Sequence, residues 1–412
     1  MAETLQLSRD TKVYVRDFDT TLIGANNSHI YWEVPVLDGY AFSQGTETTE
    51  ITLTEAADSN NRSRRGRLAF NTALAPVEWS ITTYVRPFKS AGGRTNTSGV
   101  LVDNTSGLVH AVEEPLWAYM ALGAGETFQA NTGSGTRVAG NTWATGSQGV
   151  FSNTNLMEVD FDKSNKTALR TFELIFAMAS TGNSAAPDTV YRITDAVVNA
   201  VTIDFDIEGI ATLQWSGFGR TIASANAMPS GFVTANTISE AVNSTNSFIR
   251  NRLTTVAIST NETAFGGSAG AAKSYNVILT GGSITIDNGI TFLTPEELGK
   301  VNLPLGHVTG TRSVSGTMTC YLDDDYAANS SGTLFRNMTS NTSLSRNAFN
   351  LVFSIGGASS PKVEFSMPRA HLEIPTHSID DVIGLEVNFN GLPSSISNTD
   401  EMVVRYYGLT PV

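Results

Sequence analysis

Three constellations in this 412-residue chain have the residue types that catalysis or metal binding would need. Gly266 to Gly270 reads GGSAG and satisfies the G-x-S-x-G of a nucleophile elbow. An elbow must join a parallel strand to a helix, with an acid and a histidine later in the chain. Here the serine stands in the small-residue tract FGGSAGAAKS between two β-type runs, which reads better as a plain loop. His371, Glu373 and His377 project to one side of an extended run, as metal ligands could. Pro375 interrupts that run, and no fourth ligand lies at helical or hairpin distance. Asp323 to Asp325 lack the alternating oxygens and central glycine of a calcium loop, so a solvated turn is expected. Catalytic, cofactor and metal sites are therefore all expected to be absent.

Charge is the next signal. The formal net charge is −13, which argues against a surface that grips nucleic acid, because phosphate contacts need clustered Lys and Arg. It does not argue against a surface that nucleic acid must pass. The one dense basic patch is NNRSRRGR, with Arg62, Arg64, Arg65 and Arg67. It lacks interleaved aromatics and stands in an acidic protein, so contact with an acidic face of a neighbouring copy is the preferred reading. A merely solvated loop and a nucleic-acid arm are the alternatives. The acidic counterpart is VTIDFDIEG, which alternates strictly. Ile203, Phe205 and Ile207 fall on one face and Thr202, Asp204, Asp206 and Glu208 on the other, giving an apolar core side and an acidic wet side.

The elements that carry these residues read as strands. Charged residues are only 16% of the chain, while Gly, Ser, Thr and Asn abound between short runs rich in Val, Ile, Phe and Thr. No apolar run is long enough to span a membrane as a helix. The start MAETLQLSRD lacks the pattern of a signal peptide, so a cytoplasmic origin is expected. The single cysteine, Cys320, excludes an intrachain disulfide and stands in TMTCYL, where a buried free thiol is expected.

The runs also repeat. TKVYV matches LTTVAI with Val13 on Val256; LDGYAFSQG matches GSITIDNG with Phe42 on Ile286 and Gly45 on Gly289. SITTYV matches TMTCYL with Tyr84 on Tyr321, and EPLWAYMALG matches GTLFRNMTS with Leu116 on Leu334, Trp117 on Phe335 and Met120 on Met338. TFELIFAM falls on AFNLVFSI, and the ending LQWSGFG falls on VNFNGLP, with Trp215 on Phe389 and Gly217 on Gly391. The order is kept and the spacing shrinks along the chain, as a duplicated fold with longer loops in its first copy would give. The expectation is a mainly β chain, a tandem pair of sandwich or barrel domains, each with one short flanking helix. The first spans residues 1–225, a polar linker 226–246, and the second 247–412. Trp215 and Phe389 are expected at equivalent core positions.

FNTALAPVEWSITTYVRPFK (Phe70 to Lys89), ILTGGSITIDNGITFLTPEEL (Ile278 to Leu298) and VTIDFDIEGIATLQWSGFG resemble segments of the major tail tube proteins of Tequintavirus-type siphophages, which have long non-contractile tails. That resemblance implies a structural virion protein and not an enzyme. Three chains would form a ring with pseudo-sixfold symmetry, and stacked rings would make a tube through which DNA leaves the capsid. The implied partners are further copies of the chain and other tail proteins, such as terminator, tape measure and tail-tip proteins; DNA would pass without specific binding. The place would be the virion tail, after assembly in the host cytoplasm. Within this frame Arg62, Arg64, Arg65 and Arg67 are candidates for a ring-stacking loop, and Asp204, Asp206 and Glu208 for the lumen lining. Family members can carry an extra immunoglobulin-like domain, which is not expected after the ending VVRYYGLTPV. The rival functions are a tail-tip or baseplate hub protein and a carbohydrate-binding or hydrolytic tail protein.

Overall fold

A computed structural model describes residues 6–16, 29–51, 59–60, 68–90, 94–95, 101–103, 107–124, 137–138, 142–143, 150–159, 161, 167–180, 189–229, 232–234, 245–260, 273–294, 298, 303–324, 329–340, 349–379, 381–396 and 398–410. The chain is mainly β. In the first half the principal elements are β1 (Gln6–Arg16), β2 (Ala41–Ile51), β3 (Leu68–Tyr84), α1 (Glu114–Ala121), β5 (Phe172–Ser180), β6 (Thr189–Phe205), β7 (Thr212–Gly219) and β8 (Thr221–Ala225), with the short strand β4 (Met157–Val159) after the helix. In the second half they are β9 (Thr255–Thr260), β10 (Leu279–Asp287), β11 (Thr291–Leu293), β12 (Gly306–Val308), β13 (Ser313–Tyr321), α2 (Ser331–Ser340), β14 (Phe349–Ile355), β15 (Lys362–Leu372), β16 (Thr376–Ile379), β17 (Ile383–Gly391) and β18 (Val403–Tyr407).

The neighbour order is the same in both halves. In the first it runs β2–β3–β7–β6–β5–β1, with β8 against the start of β6. In the second it runs β10–β13–β17–β15–β14–β9, with β18 against the start of β15. All these pairs are antiparallel, and the matched residues coincide: Val13 lies opposite Phe176 and Val256 opposite Phe353. This agreement is compatible with a tandem duplication. One match is displaced: Tyr84 pairs with Thr212, three residues before Trp215, whereas Tyr321 pairs with Gly384, five before Phe389. An even slip keeps every side chain on its own face, which is why alternation alone does not detect it.

Each half is two layers with apolar side chains between them. Val, Ile and aromatic residues alternate with Ser, Thr and Asn along the strands, so one face of each sheet is apolar and must be covered. Phe42 meets Phe176 at 4.6 Å between ring centroids, Trp79 meets Phe172 at 6.0 Å, and Phe353 stacks on Phe389 at 5.2 Å. The long strand β6 serves both layers, since its start pairs with β5 and β8 and its end with β7. Helix α1 begins with Pro115 in its first turn, as its sequence predicts, and is buried along its whole length. The segment expected to be a linker carries Phe232–Thr234, which pairs in parallel with the strand His29–Glu33 of the first half.

Candidate functional site

The end of β6 also pairs with β10, from Ala200 opposite Asp287 to Phe205 opposite Gly282. This seam joins the halves into one continuous sheet, β2–β3–β7–β6–β10–β13–β17–β16. Cross-strand partners share a face, so the two sides of that sheet can be read off the register. On the core side Ile81, Trp215, Val201, Ile286 and Val314 form one row. On the opposite side one row is Thr82, Gln214, Thr202, Thr285, Ser315 and Asn390, and the next is Tyr84, Thr212, Asp204, Ser283, Thr317 and Asn388. Hydroxyl groups touch across it, Thr202 to Thr285 at 2.9 Å and Ser283 to Thr317 at 3.3 Å.

This polar face carries no cation along 41–44, 76–84, 197–205, 212–219, 279–287, 313–321 and 383–391, because those segments contain no Lys, Arg or His. Their carboxylates are Glu78, Asp204, Asp287 and Glu386. Asp204 accepts a hydrogen bond from Gln214 at 3.2 Å, and partial burial followed by the neighbouring Asp206 raises its pKa. Of the acids singled out by sequence, Asp204 lies on the wall itself. Asp206 and Glu208 lie beyond the end of β6, in the turn closed by Gly209 at φ +101°. The strict alternation fails there: Ile207, expected on the core face with Ile203 and Phe205, is 49% exposed, because the strand ends at Phe205. Glu78, Asp287 and Glu386 were not singled out. Their signal was present, since each alternates with buried Trp79, Ile286 and Val387.

The seam is closed by side chains from both halves. Asn288 donates to the carbonyls of Met120 and Val198, each at 3.2 Å, and Asn199 accepts from Ile290 N–H at 2.8 Å. Trp117 of α1 donates to the Tyr406 hydroxyl at 2.6 Å and stands edge-on to Trp215 at 5.0 Å. Strand β4 pairs with β18 beside it. Glu113, at the helix start, is fully buried near Tyr406 and Arg86; burial pushes its pKa to about 7, and the Arg86 guanidinium pulls the other way.

The remaining sequence candidates fall as follows. Trp215 and Phe389 are both buried, on β7 and β17. Cys320 is buried, and burial raises its thiol to about 11. Among the described residues no group of His, Cys, Asp and Glu could hold a metal: His377 stands edge-on to Phe335, and Glu373 accepts from Asn388 at 2.9 Å. Arg62, Arg64, Arg65 and Arg67, and Gly266 to Gly270, lie outside the described residues. No helix among the described residues is long and apolar enough to cross a membrane.

A sheet whose described strands present one polar face, shared by two similarly ordered halves, suits a structural wall. Comparison with known proteins agrees. The chain is 28% identical over 402 residues to the tail tube protein pb6 of Escherichia phage T5, covering 97% of this chain and 75% of that protein. Residues 45–391 match the phage tail tube protein family. That span reaches across both halves and takes in the shared sheet except the first four residues of β2, and the chain belongs to the phage tail tube protein family, as a structural subunit of the virion tail.

Proposed function

We propose that this chain polymerises as rings of three, each chain supplying two duplicated domains (1–225 and 247–412, joined through 226–246), and that stacked rings form the conduit for DNA ejection. The seam is the observation that carries this reading. Among the described residues β2 pairs only with β3 and β16 only with β17, so the shared sheet has an open edge at each end. Strand β10 is the counterpart of β2, and the end of β6 the counterpart of β15 and β16. The seam is therefore a worked instance of the contact that would join β16 of one chain to β2 of the next. Such a head-to-tail contact closes into a ring when its rotation allows, and strand edges with no second described strand beside them supply its hydrogen bonds. Six domains to a ring follows from the family resemblance.

In this arrangement the cation-free wall faces the bore. DNA must slide at every step, and a lining of Lys and Arg would hold it by releasing condensed counterions from the phosphates. Hydroxyls, amides and scattered carboxylates offer no such grip. Near 0.15 M salt the Debye length is about 8 Å, so repulsion acts only close to the wall. Asp204, Asp206 and Glu208 contribute to the lining, and the subunit performs no reaction. Terminator, tape measure and tail-tip proteins are its expected neighbours at the tube ends.

Electron microscopy of the purified chain is the test: long hollow cylinders are expected, whereas isolated discs or no polymer would favour a hub role. Virions carrying Asp204→Lys, Asp206→Lys and Glu208→Lys should assemble but eject DNA more slowly, and more so at low salt. Unchanged ejection would remove these residues from the bore.

A further inference from the structure

Each half carries a hairpin that continues past the sheet. In the second half it is β11 with β12. In the first it is the outer part of β2 and β3, where Thr49 lies opposite Phe70 and Ile51 opposite Leu68. Both hairpins leave the sheet just after matched glycines, Gly45 and Gly289, so they are counterparts. Their surroundings differ. The second-half hairpin lies on the first half of its own chain, where Phe292 and Phe218 both pack against the buried cluster of Leu169, Val197 and Ile290. The backbone N–H of Leu169 donates to His307 Nε2 at 2.9 Å, and Arg220 donates to the Pro304 carbonyl at 3.0 Å.

The first-half hairpin is bare on the corresponding stretch. Ile51, Leu68 and Phe70 are 43%, 62% and 52% exposed, and the register puts all three on one face. Thr48, Glu50 and Asn71 lie on the other. An equally bare patch stands on the second half. The counterpart of Phe218, one residue after the matched glycine, is Leu392, which is 39% exposed, and Ile396 nearby is fully exposed. One half thus shows a covered pair and the chain as a whole shows the same pair uncovered, with its two members at opposite ends of the shared sheet.

We infer that the first-half hairpin lies against Leu392 and Ile396 of a second copy in the same ring, as the second-half hairpin lies against the cluster that holds Phe218 in its own chain. This rests on the ring reading above and adds a lateral clasp to the strand pairing at the seam. The occupant is a second copy because the contact repeats one already made within the chain. An aromatic anchor in an apolar seat is where interface energy concentrates.

The test places a benzophenone amino acid at Phe70, irradiates assembled tubes and separates the denatured chains. Adducts on 390–398 are expected, in a ladder of linked chains that stops at one ring. A ladder that runs on without limit puts the hairpin between rings, and adducts elsewhere remove the seat; either overturns the inference while intact tubes leave the ring reading standing. Failure of the unmodified chain to form tubes would instead sink the ring reading. As a second measurement, Ile396→Asp and Leu68→Asp should each cut tube yield at least tenfold with an unchanged melting temperature, since both side chains are exposed in the free subunit. Unchanged yield in both would also overturn it.

Discussion

Trp215 and Phe389 show how much one side chain holds in each half. Trp215 is fully buried, edge-on to Trp117, and donates to Thr83 Oγ1 at 3.0 Å; Phe389 stacks on Phe353. Truncating either leaves a cavity that the surrounding sheets fill poorly, so each change to Ala should cost about 3–5 kcal/mol, read by urea unfolding. A loss below about 1 kcal/mol would show that the site collapses freely. Glu113 makes a prediction with the opposite flavour. Its pKa is raised by burial from 4.5 to about 7, so between those values the folded chain keeps a proton that the unfolded chain has released. Stability is therefore lost as pH rises through that window. Glu113→Gln should abolish that part of the pH dependence and melt higher than the wild type at pH 8; parallel melting curves from pH 4.5 to 8 would refute it. The aromatic positions were legible in the sequence because alternation and the glycine after them recur. Glu113 was not, since an acid at a helix start is ordinarily exposed, and its neighbours Arg86 and Tyr406 come from distant parts of the chain.

At the scale of elements, the glycines of the shared sheet separate local from tertiary causes. A Cβ at Gly316 would stand 2.2 Å from the Ser283 carbonyl and 2.4 Å from the Phe389 ring; one at Gly217 would stand 2.0 Å from the Val197 carbonyl and 2.5 Å from the Trp79 ring. Neither backbone can yield without opening a ladder, so Gly316→Ala and Gly217→Ala should each lose about 1–3 kcal/mol or more. At Gly45 a Cβ would meet only Ala75 Cβ, at 3.7 Å, and Gly45→Ala serves as a near-neutral control. Equal urea midpoints for all three would mean that the rings and strands shift together. The repeated ending of aromatic, small residue and glycine was visible in the chain. That the Trp79 ring of the next strand lies over Gly217, while Val314 lies against Gly391, was not, because it depends on the register between strands distant in sequence.

For the whole molecule the question is assembly. The arginine tract, which the sequence places between β2 and β3, belongs to a protein with net charge −13, and exposed ion pairs are weak singly and screened by salt. If Arg62, Arg64, Arg65 and Arg67 bridge stacked rings, changing all four to Ser should leave a folded subunit whose tubes are short, and wild-type growth should slow as salt rises. Tubes of normal length from the quadruple variant, counted by electron microscopy, would release the loop from stacking. The same experiment separates the arginine tract from the apolar stretch of Ile51, Leu68 and Phe70, because a lateral clasp built on apolar side chains does not weaken as salt rises.

What the sequence determined by itself was periodic and local: strands from alternation, strand endings that match along the chain, a buried thiol in TMTCYL, and a polar face with Asp204 opposite the apolar face of Ile203 and Phe205. These follow from side-chain period and turn chemistry, which act over a few residues. The tertiary structure decided how the halves meet. Pairing of β6 with β10 turned two wet faces into one wall, brought Glu78, Asp287 and Glu386 onto it with Asp204, and left Asp206 and Glu208 in a turn past its edge. It also wedged Trp117 between the halves while its counterpart Phe335 stays partly exposed. Seam register depends on hydrogen bonds between strands some eighty residues apart, and no local pattern encodes which edge meets which.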